Sequence, residues 1–375
     1  MDSLTQMALG AAVGTAVLGR KAGPRAALWG AAIATLPDLD VFLSYGDPVR
    51  DFTFHRAESH ALFWMTLVSP ALAWLAWRLH RATNQARGIR FRDWWLLAWL
   101  ALVTHALLDA FTIYGTQLLL PFSDFPVGLG TIFIIDPLYT VPLLAGVLGF
   151  MYLRRRNPDR ALRWNAAGIV ASTAYLAWSV AAQLHVTGEV NRSLAATNLA
   201  DGRVLVTPTA FNTLLWRVVV MDDGAYHEGF RSLFDDAPNV TLQRHASATH
   251  LLEGIRDQWH VRRLAWFSKG YYGVQEIDRS TPVARESPSS ARQLLGLVEP
   301  ASAAEALPPG SATPVVLTDL RMGQTPWFVF SFVVAERNGE RVDAVRPAQV
   351  PIQRPPASAL QWLWQRIWDE DARGP

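Results

Sequence analysis

Six long apolar runs fill the first half of this 375-residue chain, and they limit its fold more than any other feature. They cover 3–19, 26–45, 60–79, 94–120, 132–153 and 164–185. A hydrocarbon core of about 30 Å takes roughly 20 helical residues to cross. Backbone groups in lipid must find partners within their own segment, so runs of this length are expected as helices. Half of the residues are hydrophobic and only 18% are charged, which agrees with a membrane-embedded part. The first run is short and rich in Ala and Gly; it could span or lie on the surface, and a span is the expectation. Its Gly10 and Gly14 have the spacing that lets two helices approach closely. No basic residue precedes it, so it is not expected to be cleaved as a secretory signal.

Basic residues orient the runs. Arg20, Lys21 and Arg25 lie after the first; Arg78, Arg81, Arg87, Arg90 and Arg92 after the third; Arg154, Arg155, Arg156, Arg160 and Arg163 after the fifth. The alternate gaps hold only Arg50 and Arg56, so the positive-inside rule places the N-terminus and everything after residue 186 outside the cytoplasm. Arginine in short gaps between apolar runs, at a formal net charge of +2, suits membrane topology and argues against nucleic-acid binding.

Polar groups inside such runs are costly unless they are paired, hydrated or bound to a cation. Asp38 and Asp40 follow Pro37 in the second run; His55, Arg56, Glu58 and His60 lead into the third; His105 and Asp109 sit inside the fourth. His105 and Asp109 are four apart and share a helical face, where they can grip one ion or simply bond each other. Two carboxylates as close as Asp38 and Asp40 repel unless a cation neutralises them, one stays protonated, or both cap a loop at the surface. At about 1.5 Å per residue Asp38 and His105 lie at one depth, whereas His55 and His60 come out roughly 10 Å shallower. The mismatch shrinks if the second run breaks at Pro37 and continues as non-helical chain lining a cavity. The chain has no cysteine, so any metal is held by nitrogen and oxygen. The reading is a divalent ion, best matched by zinc, on Asp38, Asp40, His55, His60, His105 and Asp109. Arg56 would steady an anionic oxygen and Glu58 would serve as general acid or base. Asp136 reads equally as a site residue or an N-cap, and Gln6 as a weaker candidate.

At these residues the chain resembles the bacterial inner-membrane-bound metal-dependent hydrolases, the YdjM-like proteins. The resemblance rests on Met1 to Gln6 through Gly10, Leu36 to Asp40, His55-Arg56 with Ser59-His60, and His105 with Asp109, in that order over roughly the first 150 residues. It implies a multi-pass membrane hydrolase in which Asp38, His55, His60, His105 and Asp109 match ligand-type positions. Ala57 and Glu58 stand where that family usually has a small residue and a bulky apolar one, and Ala61 where Ser is usual. Those departures bear on substrate shape and on the role of Glu58 rather than on the metal.

After residue 186 the long apolar runs stop. Residues 213–220 read as a strand that turns at Asp222-Asp223-Gly224 and returns from Tyr226 to Phe230. A helix around 242–257, a strand over 259–267, a flexible Ser, Pro and Ala-rich connection over 280–313, and a strand pair at 315–320 and 327–334 follow. Trp259, Trp266, Phe267, Tyr271 and Tyr272 read as core more readily than as a substrate platform. Leu360, Leu363, Trp364, Ile367 and Trp368 recur at helical spacing, giving a helix that lies on the membrane or packs on its own domain.

The expected architecture is thus an α-helical polytopic membrane domain of about six transmembrane helices over 1–185. A smaller α+β extracytoplasmic domain over 186–375 follows it. The expected function is hydrolysis at an outward-facing metal site in the inner membrane, on an amphiphilic phosphoester or a lipid-linked substrate. Two rivals stay open: an ion- or proton-coupled transporter, and a membrane-anchored binding protein with a structural metal.

Overall fold

A computed structural model describes residues 1–81, 88–278, 282–284, 304–306, 312–352, 355–372 and 374. The chain divides into two compact units. The first comprises residues 1–39, 56–182 and 210–213; the second comprises 40–55, 183–209 and 214–375.

The first unit is helical. Helix α1 (Ser3–Ala22) starts at the N-cap Asp2, whose carboxylate accepts from Thr5 N, and it ends at Gly23. Helix α2 (Pro24–Thr35) follows at once with proline in its first turn, where the missing N–H costs nothing. The two helices touch backbone to backbone. A Cβ on Gly10 would lie 2.3 Å from Gly30 O, and one on Gly30 would lie 2.0 Å from Gly10 O. Helix α2 ends at Thr35 and residues Pro37–Phe42 form a 3-10 turn, so the second run does break near Pro37, the condition under which the depth mismatch shrinks. Helices α4 (Leu62–Arg81), α5 (Phe91–Phe111), α6 (Pro137–Leu153) and α7 (Pro158–Leu194) complete the unit, α7 running on past residue 182; α3 (Pro48–Phe54) belongs to the second unit.

Among the described residues three helices, α4, α5 and α7, are long and apolar enough to cross a membrane. Of the other expected spans, α1 has 20 residues but is not among the three, while α6 and α2 are shorter, at 17 and 12 residues. The run 94–120 leaves the helix at Phe111, and the last run sits inside a helix of 37 residues. Of the three, α5 is the most enclosed, with 56% of its apolar window buried against 22% for each of the others. Trp94, Leu97, Leu102, Met65, Ile33 and Leu18 form one core around it; Leu108, Leu9, Val13, Tyr139 and Leu143 form a second.

The second unit is sheet-rich. Strands β1 (Arg203–Pro208), β2 (Leu215–Asp222), β3 (Ala225–Ser232) and β4 (Leu242–Ala246) form an antiparallel meander. The β2–β3 hairpin closes at Asp223-Gly224 with Gly224 at φ +65, the turn the sequence signals. The larger sheet runs in the order β5 (Tyr272–Glu276), β8 (Thr313–Asp319), β11 (Ser331–Asn338), β12 (Arg341–Gln349), β6 (Pro282–Ala284), β7 (Ala304–Ala306). The short β9 (Gly323–Gln324) and β10 (Trp327–Phe328) pair separately.

Two expectations change here. The helix expected at 242–257 is strand β4 followed by a 3-10 turn, Thr249–Ile255, because 242–246 pairs with the free edge of β3. The strand expected at 259–267 is helix α8 (Trp259–Phe267): its aromatics suggested β, but Val261, Leu264 and Phe267 bury one face at a spacing of three. Most of the 280–313 connection lies outside the described residues. Helix α9 (Ala357–Trp368) forms as expected, yet its stripe splits: Leu363 and Ile367 are buried while Trp364 and Trp368 are exposed.

Residues 40–55 join the second unit for a packing reason. They include α3 (Pro48–Phe54), whose Phe52 is buried against Phe267, Phe330 and Phe332 at ring distances of 4.9, 4.2 and 5.4 Å. Three aromatic contacts outweigh chain adjacency to the helices on either side.

Candidate metal centre

Asp38, His60, His105 and Asp109 each offer a ligand atom, and the four atoms lie within 4.8 Å of one another. Each side chain arrives from a different local cause. His105 and Asp109 are one turn apart on α5, so they share its inward face, and His105 Nε2 is 3.5 Å from Asp109 Oδ2. Asp38 comes from the 3-10 turn that Pro37 starts. His60 closes a second 3-10 turn, Glu58–His60, just before α4.

The distances suit a cation. His60 Nε2 and His105 Nε2 are 3.1 Å apart, and each faces Asp109 Oδ2, at 3.2 and 3.5 Å. Asp38 Oδ1 is 3.6 and 3.5 Å from the same two nitrogens. Metal–ligand bonds of about 2.0–2.2 Å in a tetrahedron put neighbouring ligand atoms about 3.4 Å apart. His60, His105 and Asp109 are fully buried, and Asp38 Oδ2 and His105 Nδ1 have no hydrogen-bond partner among the described residues. Two histidine nitrogens and two carboxylates enclosed at this spacing need a cation or shared protons between them, so the residues fit a divalent ion of borderline hardness. His60 Nδ1 meets Ser59 Oγ at 2.8 Å, the outer-face bond that fixes which ring nitrogen points inward.

Arg56 stands beside the four. It is 3% exposed, its Nε lies 3.3 Å from Asp109 Oδ2, and its Nη1 donates to Thr112 Oγ1 at 3.2 Å. Its guanidinium also covers the Tyr114 ring at 5.0 Å. The backbone of Arg56 is left-handed, at φ 63, which is strained for a side chain of this size. On the far side of Asp109, Oδ1 takes the Met1 amino nitrogen and, at 3.0 Å, Gln6 Nε2.

The structure does not bring every candidate here. Asp40 and His55 are absent from the four and bond each other instead, His55 Nδ1 to Asp40 Oδ1 at 2.8 Å. In a 3-10 turn successive side chains rotate by about 120°, so residues two apart, such as Asp38 and Asp40, cannot face one ion. His55 is the C-cap of α3, and the left-handed Arg56 turns the chain before His60. Glu58 is exposed at the start of its 3-10 turn. Asp136 serves as the N-cap of α6, accepting from Leu138 N at 3.0 Å and from Tyr175 Oη at 2.8 Å. Gln6, Thr112 and Tyr114 are the neighbours that pattern reading underweighted. Gln6 carried the one available signal, an amide within an apolar run.

Comparison with known proteins agrees with the helical half. The model of the family described as YdjM inner membrane protein matches residues 1–186. A protein of Bacillus subtilis (strain 168) described as uncharacterized, YfhP, is 34% identical over 158 residues, covering 39% of this chain and 45% of that protein. The chain therefore matches about half the length of this relative. No solved structure matches. The apolar helices and the family match together make this a membrane protein, and through residues 1–186 the chain belongs to the YdjM inner membrane protein family.

Proposed function

We propose that the chain is a membrane-bound metal-dependent hydrolase with its ion on Asp38, His60, His105 and Asp109. The observation that carries this is the enclosure of two imidazoles and two carboxylates within 4.8 Å in the helical unit. A divalent ion, zinc foremost, that took a water as a fifth ligand beside these four would lower the pKa of that water to about 7. The chain's own groups do the rest. Asp109 and Asp38 neutralise charge, the Ser59 contact orients His60, and Arg56 is a fixed buried cation available to an oxygen that gains negative charge. Arginine beside the ligands favours phosphoester cleavage over amide cleavage. The membrane setting favours an amphiphilic or lipid-linked substrate. Six transmembrane segments, with the sheet-rich part outside the cytoplasm, complete the proposal, supported by the three Arg-rich gaps.

Metal analysis of detergent-purified full chain tests the reading. The parent is expected to hold stoichiometric metal, Asp109→Ala and His60→Ala to lose it, and His55→Ala to keep it. Equal trace contents in all four would overturn the site. Hydrolysis of phosphomonoesters and phosphodiesters, lost with the metal, separates an enzyme from a structural ion. Flux coupled to an ion gradient, with no product formed, would favour the transporter.

A further inference from the structure

Gln6 is fully buried on α1, one residue after Thr5, whose hydroxyl meets Thr140 Oγ1 at 2.6 Å and ties this first turn to α6. Its Nε2 donates to Asp109 Oδ1 at 3.0 Å and to the His105 carbonyl at 3.3 Å. Both partners are acceptors only, so the amide cannot be turned round without facing oxygen to oxygen. The orientation leaves Oε1 buried with no donor among the described residues. Buried acceptors without a donor are rare and unfavourable. One amide thus touches both α5 residues of the centre and keeps a second polar atom unspent.

We infer that Gln6 is a positioning residue of the metal centre: one amide N–H holds Asp109 by Oδ1, so that Oδ2 faces His60 and His105, while the amide's other contact is to the His105 carbonyl. Its free Oε1 is then an acceptor for a water that enters with the ion. The inference rests on the proposed metal site and adds a residue that is not itself one of the four ligands. A merely structural role would make Gln6 equivalent to any other buried amide that pins α1. Asn165 is such an amide: it is 1% exposed, and its Nδ2 donates to Ala12 O at 2.9 Å.

The two amides supply the test. Zn²⁺ affinity is measured by chelator competition on detergent-solubilised full chain for the parent, Gln6→Met, Gln6→Ala and Asn165→Ala, with the visible spectrum of the Co²⁺-loaded forms as a second readout. Removing a residue that orients a ligand typically weakens metal binding about 10–100-fold. That loss, with an altered Co²⁺ spectrum, is expected for both Gln6 variants, while Asn165→Ala stays within about threefold of the parent. If the parent binds Zn²⁺ and Gln6→Met binds it equally well, the inference fails and the metal site stands. Equal weakening in Asn165→Ala also overturns it, since the effect would then come from seating α1. A parent that binds no Zn²⁺ overturns the metal site and this inference together.

Discussion

At the residue scale the chain uses buried charge in two ways. Asp109 is surrounded by groups that leave one oxygen facing other ligands, whereas Glu228 in the sheet-rich unit is fully spent. Glu228 is 6% exposed, pairs with Arg217 Nε, and accepts from Thr325 N at 3.1 Å. Burial pushes the Glu228 carboxyl up, but the Arg217 guanidinium and the Thr325 donors outweigh it and hold the carboxyl below its ordinary value. A carboxyl depressed in the folded state contributes stability above its unfolded pKa of about 4.3, and that stability is lost as pH falls through the folded value. Glu228→Gln leaves Arg217 buried without its counter-charge, a loss of about 3–5 kcal/mol. The variant is therefore expected to unfold at a clearly lower temperature than the parent at pH 7, with the gap closing below about pH 4. A gap in melting temperature that is the same at pH 7 and pH 3.5 would show that the pair is not ionic in origin.

At the element scale the seating of α1 on α2 decides whether the centre forms. The α1 helix carries Gln6, and α2 leads into Asp38 two residues beyond its C-cap Leu36. The helices meet through Gly10, Gly14 and Gly30, and a Cβ at Gly30 would strike the Gly10 carbonyl, a backbone atom that cannot step aside. Forcing such a contact costs about 1–3 kcal/mol or more. Gly30→Ala is expected to lower both the melting temperature and the metal content. Gly188→Ala, on α7 where a new Cβ meets nothing within 4 Å, should be neutral or stabilise by up to about 1 kcal/mol. Melting curves and metal analysis of the two variants check this, and a Gly30→Ala protein that keeps parental stability would disprove the close packing. The small-residue spacing of Gly10 and Gly14 was readable from the sequence; their partners Gly30 and Ala26 were not, because register between helices is a tertiary matter. Likewise 259–267 misled because aromatic content and β-propensity coincide, while burial at every third residue becomes visible only once a sheet lies beneath it.

At the scale of the whole molecule, the proposed topology predicts opposite accessibility for two exposed loops. The absence of cysteine allows single thiols to be introduced cleanly. Asp223→Cys, in the β2–β3 turn, should react with a membrane-impermeant maleimide in intact spheroplasts, and Asn157→Cys, in the Arg-rich gap before α7, only after lysis. The reverse pattern would invert the topology, and labelling of both in intact spheroplasts would refute the crossing between them. By itself the sequence determined a helical apolar half, the common face of His105 and Asp109, and the Asp223-Gly224 hairpin, and it marked Pro37 as the place where the second run could break. Each of these follows from local spacing and backbone chemistry. Only the tertiary structure decided which aspartate and which histidine join that pair. Phe52 is buried among the aromatic rings of the sheet-rich unit, so α3 keeps His55 with Asp40 there, and the chain returns to the helices at Arg56 in time to deliver His60. Ligand types are written in local sequence; their convergence is set by where long-range packing takes the intervening chain.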